Sequence, residues 1–211
     1  MPHLVLLGDS VLDNAAYTAG GPDVISQVRQ QLPAGWQGSL RAVDGSTTEE
    51  VHAQLAAMPP DATHLFLSVG GNNAILRSEI LDTPVQSSSE ALLLLADVAR
   101  EFEATYRRAV DACLRLNLPL VVCTIYHGNF PDPRYQRLAV AGLTAFNDAI
   151  IRIAIEKCLK VIDMRLVCNS PADYANPIEP SSIGGAKIAQ AIVRAAVEFP
   201  HSTRGAHVVA E

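Results

Sequence analysis

Strand-length apolar runs alternate with longer helical segments along almost the whole chain, and this alternation limits the possible folds more than any other feature. The runs at 3–7, 39–43, 64–69, 118–125 and 159–163 consist mostly of Val, Leu and Ile. They are continuous rather than alternating, which suits parallel strands buried on both faces. Between them, segments near 22–32, 47–57, 90–116, 136–157 and 181–198 read as helices. Ser87-x-x-Glu90 forms a capping box at the start of the third, and Pro119 lies just past its end, where a helix cannot continue. Thr47-Thr48-Glu49-Glu50 supplies a hydroxyl cap and an acidic first turn for the second. Five strands with crossover helices predict an α/β fold, an open three-layer α/β/α sandwich around a five-stranded parallel sheet. At 211 residues and 49% hydrophobic, the chain suits one domain. That domain is expected over 1–199, with 200–211 as a flexible C-terminal tail.

Several function classes fall away on charge and spacing. The net charge of -6 and the lack of a Lys/Arg cluster argue against nucleic acid or an anionic membrane as partner. The longest apolar stretches look strand-sized, so no transmembrane helix is expected. Met1-Pro2 runs directly into a strand with no basic segment, which points to the cytoplasm. Cys113, Cys123, Cys158 and Cys168 show no C-x-x-C spacing, so they are expected as reduced thiols rather than metal ligands or disulfides. With no G-x-G-x-x-G and no Walker loop, a nucleotide cofactor has no seat, and no cofactor or metal is expected.

In an open parallel sheet, ligands bind beyond the carboxyl ends of the strands. Polar residues gather there. Asp9, Ser10, Asp13 and Asn14 follow the first strand, and Asp44, Gly45, Ser46 and Thr47 follow the second. Gly70, Gly71, Asn72 and Asn73 follow the third, and Tyr126, His127 and Asn129 the fourth. Acyl transfer needs a nucleophile, a base and oxyanion donors. Ser10, delivered by a strand that ends in Gly8, offers the nucleophile. Its own N–H, the Gly45 N–H and the Asn72 side-chain amide offer the donors. Asp9 suits hydrogen bonding to loop amides better than base chemistry. His127, at the same sheet edge, is one candidate base. The segment 74–89 reads as a connecting loop with a short helix, or as a rim over a pocket.

Gly8-Asp9-Ser10, Gly45 and Gly70-Gly71-Asn72 resemble, in order and spacing, the first three blocks of the SGNH (GDSL-type) hydrolase superfamily. The resemblance implies a flavodoxin-like strand order 2-1-3-4-5 and metal-free ester hydrolysis. It makes Ser10 the nucleophile and Ser10, Gly45 and Asn72 the oxyanion hole. Asn73 stands where the family often has aspartate. The larger departure is in the C-terminal block, usually D-x-x-H-P. Here Asn176-Pro177-Ile178-Glu179-Pro180 precedes Gly184-Gly185, placing Glu179 at the histidine position and Asn176 at the aspartate position. A second register reads Asp173-Tyr174-Ala175-Asn176-Pro177 as the block, keeping the acid but putting asparagine at the base.

An asparagine–glutamate pair carries the same single negative charge as aspartate with neutral histidine, so the joint change is charge-matched. Glutamate, with an ordinary pKa of about 4.3, is a weaker base than imidazole at about 6.5. That deficit costs roughly ten-fold or more, part of which burial recovers. Alternatively, Glu179 serves the N-terminus of the last helix. The expected activity is a serine esterase or acyl hydrolase acting on a small-molecule ester. The alternatives are an acyltransferase, or a ligand-binding protein that has lost the triad. Substrate identity and oligomeric state stay open at this level.

Overall fold

The structure, a computed structural model, describes residues 1–197 and 207–209. Six strands form one parallel sheet: β1 (His3–Gly8), β2 (Gln37–Leu40), β3 (His64–Ser68), β4 (Leu120–Cys123), β5 (Lys160–Ile162) and β6 (His207–Val209). Their order is β2-β1-β3-β4-β5-β6. The helices are α1 (Val24–Gln31), α2 (Val51–Ala56), α3 (Gly71–Ile75), α4 (Ser88–Leu114), α5 (Pro133–Glu156), α6 (Met164–Val167) and α7 (Ser182–Val197).

Alternate residues of the strands feed two separate cores, as the pleat requires. Leu4, Leu6, Phe66 and Ile162 pack with α1, α6 and α7 on one face. Val5, Leu7, Leu65, Leu67 and Val161 pack with α2, α4 and α5 on the other. Burial on both sides explains why these strands read as continuous apolar runs.

The sheet has six strands rather than the expected five. β6 extends it in register, with Val161 opposite Val208 and Ile162 opposite Val209. Three residues in a small, polar stretch give too short a hydrophobic pattern to stand out. The tail expected over 200–211 therefore includes a strand at 207–209, and its remaining residues lie outside those described.

Two boundaries also differ from expectation. β2 ends at Leu40 because the Arg41 and Ala42 amides both donate to the Leu6 carbonyl, at 2.8 and 2.9 Å, which bends the chain out of the ladder. The second helix begins at Val51. Thr47 donates its N–H to Glu50 Oε2 at 2.7 Å, closing a side-chain turn that competes with helix start. Of the capping box expected at the head of α4, the Ser87 cap forms, with Glu90 N–H donating to Ser87 Oγ at 3.2 Å, while the Glu90 carboxylate accepts the Gln86 N–H at 2.7 Å instead of that of Ser87.

α5 is long and apolar enough to cross a membrane by length and composition, contrary to the expectation of strand-sized stretches alone. Its buried face, including Phe146, Ile150 and Ile153, packs into the second core. Its outer side pairs with α4 through Arg107–Glu156 and Arg152–Glu103. Cys113, Cys123 and Cys168 are buried and free, and Cys158 is free but exposed.

Candidate active site

β1 delivers Ser10 to the sheet edge through a backbone that tolerates little else. Gly8 has φ +131°, and a Cβ there would lie 1.7 Å from the Ser68 carbonyl oxygen. The Asp9 N–H donates to that same carbonyl at 3.1 Å. Gln54 of α2 clamps the other side of Gly8. Its Oε1 accepts the Gly8 N–H at 2.8 Å and its Nε2 donates to the Gly8 carbonyl at 2.7 Å. This clamp was not legible in the sequence, because a helical glutamine carries no signal of its own. Ser10 is buried, 6% exposed, and lies where the strand order reverses between β1 and β3.

Glu179 reaches the same place from the far end of the chain, and its backbone is tied on several sides. Asn14 donates to the Pro180 carbonyl at 3.2 Å, and the Tyr126 hydroxyl donates to the Ile178 carbonyl at 2.5 Å. The Ala175 N–H donates to the Glu179 carbonyl at 2.9 Å. Asn176 Oδ1 accepts the N–H groups of Ile178 and Glu179, both at 2.9 Å. Asn176 therefore fixes the turn that carries Glu179, and its hydrogen bonds go to backbone rather than to the carboxylate. Glu179 does not cap α7: Ser181 Oγ does so, accepting from Ile183 and Gly184 at 3.2 Å each.

The carboxyl of Glu179 is thus left to the cavity. Glu179 is 6% exposed, and its Oε2 is buried without a hydrogen-bond partner. Burial raises its pKa, while hydrogen-bonding interaction with the Ser10 hydroxyl pulls it down and the Asp44 charge pushes it up. Asp173, the acid of the second register, accepts from Asn169, Ser170 and Lys187, and does not line the cavity.

Asp9 is also buried beside Ser10. Burial pushes its pKa up to about 7, the Val11 amide opposing and the Glu179 charge adding. It accepts the Val11 N–H at 3.2 Å. Asn72 lines the cavity, and its Nδ2 donates to the Ser46 carbonyl at 2.9 Å, joining it to the loop of Gly45. Gly45 has φ +81° and stands exposed in that loop. Asn73 turns the other way. It exchanges hydrogen bonds with Thr48 at 3.1 Å in both directions, and so latches α3 to the 44–50 loop instead of lining the pocket. His127 lines the cavity, half-buried. Burial, then the Arg165 charge, lower its pKa, with the Asp163 charge opposing.

The cavity has a volume of about 120 Å³. Ser10, Asn72 and Glu179 are among its polar lining residues, and Val69, Ile80, Leu95, Ile125, Leu143 and Phe146 help form the apolar remainder. The segment after β3 contributes Ala74, Ile75 and Leu81 to this wall, so it both connects and overhangs. No group of His, Cys, Asp or Glu among the described residues could hold a metal ion.

A Ser–His–Asp chain does exist, but elsewhere. His3 Nδ1 meets Asp61 Oδ1 at 2.9 Å and its Nε2 meets Ser39 Oγ at 2.7 Å. It sits at the amino ends of the strands, and none of its members lines the cavity. It satisfies a buried histidine and ties β1 to β2.

The chain belongs to the GDSL-like lipase/acylhydrolase family, whose model matches residues 6–184. A search of curated proteins gives no match. Among solved structures, the chain resembles a lipase from a goat rumen metagenome, with TM-score 0.72 and 18% identity over 96% of this chain and all of that one (100%). It also resembles an acetylxylan esterase from Geobacillus stearothermophilus, with TM-score 0.65 and 19% identity over 96% and 97% of the two chains. An extracellular lipase from Streptomyces rimosus matches with TM-score 0.63 and 17% identity over 89% and 96%. At these identities the likeness is one of fold.

Proposed function

We propose that the protein is a serine esterase in which Glu179 replaces histidine as the base. The observation that carries this reading is that buried Ser10 and buried Glu179 line the same cavity, with one carboxylate oxygen of Glu179 left without a hydrogen-bond partner. Glu179 takes the Ser10 proton as Oγ attacks the ester carbonyl carbon. The N–H groups of Ser10 and Gly45 and the Asn72 amide hold the oxyanion. The bond to the leaving oxygen then breaks, and Glu179 returns the proton to it. Water attacks the acyl-Ser10 ester with Glu179 again as base, releasing the acid.

Asn176 acts as a positioning residue for the Glu179 turn. The cavity volume of about 120 Å³ is close to the ~150 Å³ of a cavity that holds benzene, which suits a short acyl group. The lipase and acetylxylan esterase relatives support ester chemistry on this fold.

A fluorophosphonate probe and a short-chain aryl ester test the reading. Ser10→Ala should abolish both labelling and turnover. Glu179→Gln should lower kcat roughly 10²- to 10⁴-fold, the usual worth of a general base. Full activity in Glu179→Gln would overturn the assignment of the base.

A further inference from the structure

The face that α5 turns to the cavity is large at its ends and small in its middle. Tyr135, Ala139, Gly142, Leu143 and Phe146 all line the cavity, and their helical spacing puts them on one face. Both large ends are held in place. The Phe146 ring packs 4.8 Å from that of Phe102, and the Tyr135 ring meets that of Phe130 edge to face at 4.9 Å. Between these ends, Ala139 and Gly142 leave a notch in the helix surface.

Nothing in the fold itself asks for glycine at 142. The position lies in the interior of α5, where glycine is less favourable than alanine. Its φ is not positive, and a Cβ there would meet no atom within 4 Å, so no neighbouring element needs the room. Gly8 and Gly184 differ in this respect, since a Cβ at either would strike backbone, at 1.7 and 2.2 Å. The space at Gly142 opens on the cavity instead. An independent sign that this cavity takes a ligand is Glu179, which lines it, is more than nine-tenths buried, and has one carboxylate oxygen without a donor. Arg77 also lines the cavity, but its guanidinium is held by Glu79 and Glu101, so its charge is already matched.

Resting on the esterase reading, we infer that Gly142 sets the length of the acyl group: an uncharged straight chain runs from Ser10 across the cavity and ends in the notch. A volume of about 120 Å³, set beside the ~150 Å³ of a cavity that holds benzene, accommodates an acyl group of about four to six carbons. Each methylene buried there should raise kcat/KM roughly four-fold until the notch is full. A side chain at 142 would occupy the place of the chain's last carbons and leave the carbons next to Ser10 undisturbed.

The test measures kcat/KM for 4-nitrophenyl acetate, butyrate and hexanoate. Wild type should prefer hexanoate to acetate by ten-fold or more. Gly142→Ala should lower the hexanoate-to-acetate ratio roughly four-fold, the worth of one methyl, and Gly142→Leu should lower it at least ten-fold. Ala141→Leu, on the exposed side of the same helix, should keep the wild-type ratio. Acetate turnover in each preparation reports whether the site is intact. An unchanged ratio in Gly142→Leu, or a wild type that prefers acetate, overturns the acyl assignment. Equal loss of acetate and hexanoate turnover in both Gly142 variants overturns it too, because the space would then serve the fold. Fluorophosphonate labelling of Ser10 without turnover of any of the three esters overturns the acyl assignment alone. Neither labelling nor turnover overturns the esterase reading itself.

Discussion

Asp9 and Glu179 place two carboxyl groups in one buried site, and burial above all, with the Glu179 charge adding, keeps Asp9 from ionising freely. Asp9, raised from its ordinary 3.8 to about 7, holds a proton that the unfolded chain would already have released. The folded state therefore binds more protons than the unfolded state between these values. Stability falls as pH rises through that window and levels off above it. Asp9→Asn keeps an acceptor for the Val11 amide and removes the titration. It should gain stability relative to wild type between pH 5 and pH 8, on the order of 3 kcal/mol at most, in urea melts at each pH. Activity follows the other carboxyl. Because Glu179 must be ionised to act as base and its pKa is raised above 4.5, the acidic limb of kcat/KM should lie above the ordinary glutamate range. Ser10, Asn72 and the Glu179 position were legible because each follows a strand end or stands in an ordered motif. The role of Asn176 was not. Its side chain serves backbone amides at 2.9 Å, and spacing alone does not tell a turn-former from a partner of the base.

Single residues work here because short segments hold them. The β1–Ser10 turn depends on Gly8, where any side chain meets the Ser68 carbonyl and a disfavoured φ of +131°. Gly8→Ala should destabilise by at least ~3 kcal/mol or prevent folding, measured by chemical denaturation. The segment bearing Glu179 hangs on milder ties. Tyr126→Phe removes the hydrogen bond to the Ile178 carbonyl while keeping the ring, and should cost about 1 kcal/mol of stability. Under the esterase reading it should also lower kcat more than it raises KM, because the base loses its fixed placement. The elements themselves were largely readable from apolar periodicity. The exceptions have local causes: Thr47 and Glu50 close a turn by side-chain bonds, and two amides share the Leu6 carbonyl where β2 ends.

At the scale of the molecule, two cores on either side of the sheet set its stability, and β6 completes one of them. Val209 is 4% exposed and belongs to the core formed with α1, α6 and α7. Val209→Ala should cost about 2 kcal/mol, visible as a lower denaturation midpoint, whereas Val208, 62% exposed, should tolerate alanine with little change. The order of the other five strands follows the family pattern that the sequence resembles. The added strand was hidden because His207-Val208-Val209 is too short to show a period. The long reach between Ser10 and Glu179 has a consequence for biogenesis. The serine is translated early and its proposed base late, with β3, β4 and β5 encoded between them. A nascent or truncated chain that stops before Glu179 carries the nucleophile but no base, so hydrolysis would be withheld until the domain is whole. Under the esterase reading, a chain truncated before Glu179 should therefore show no turnover of a short-chain aryl ester.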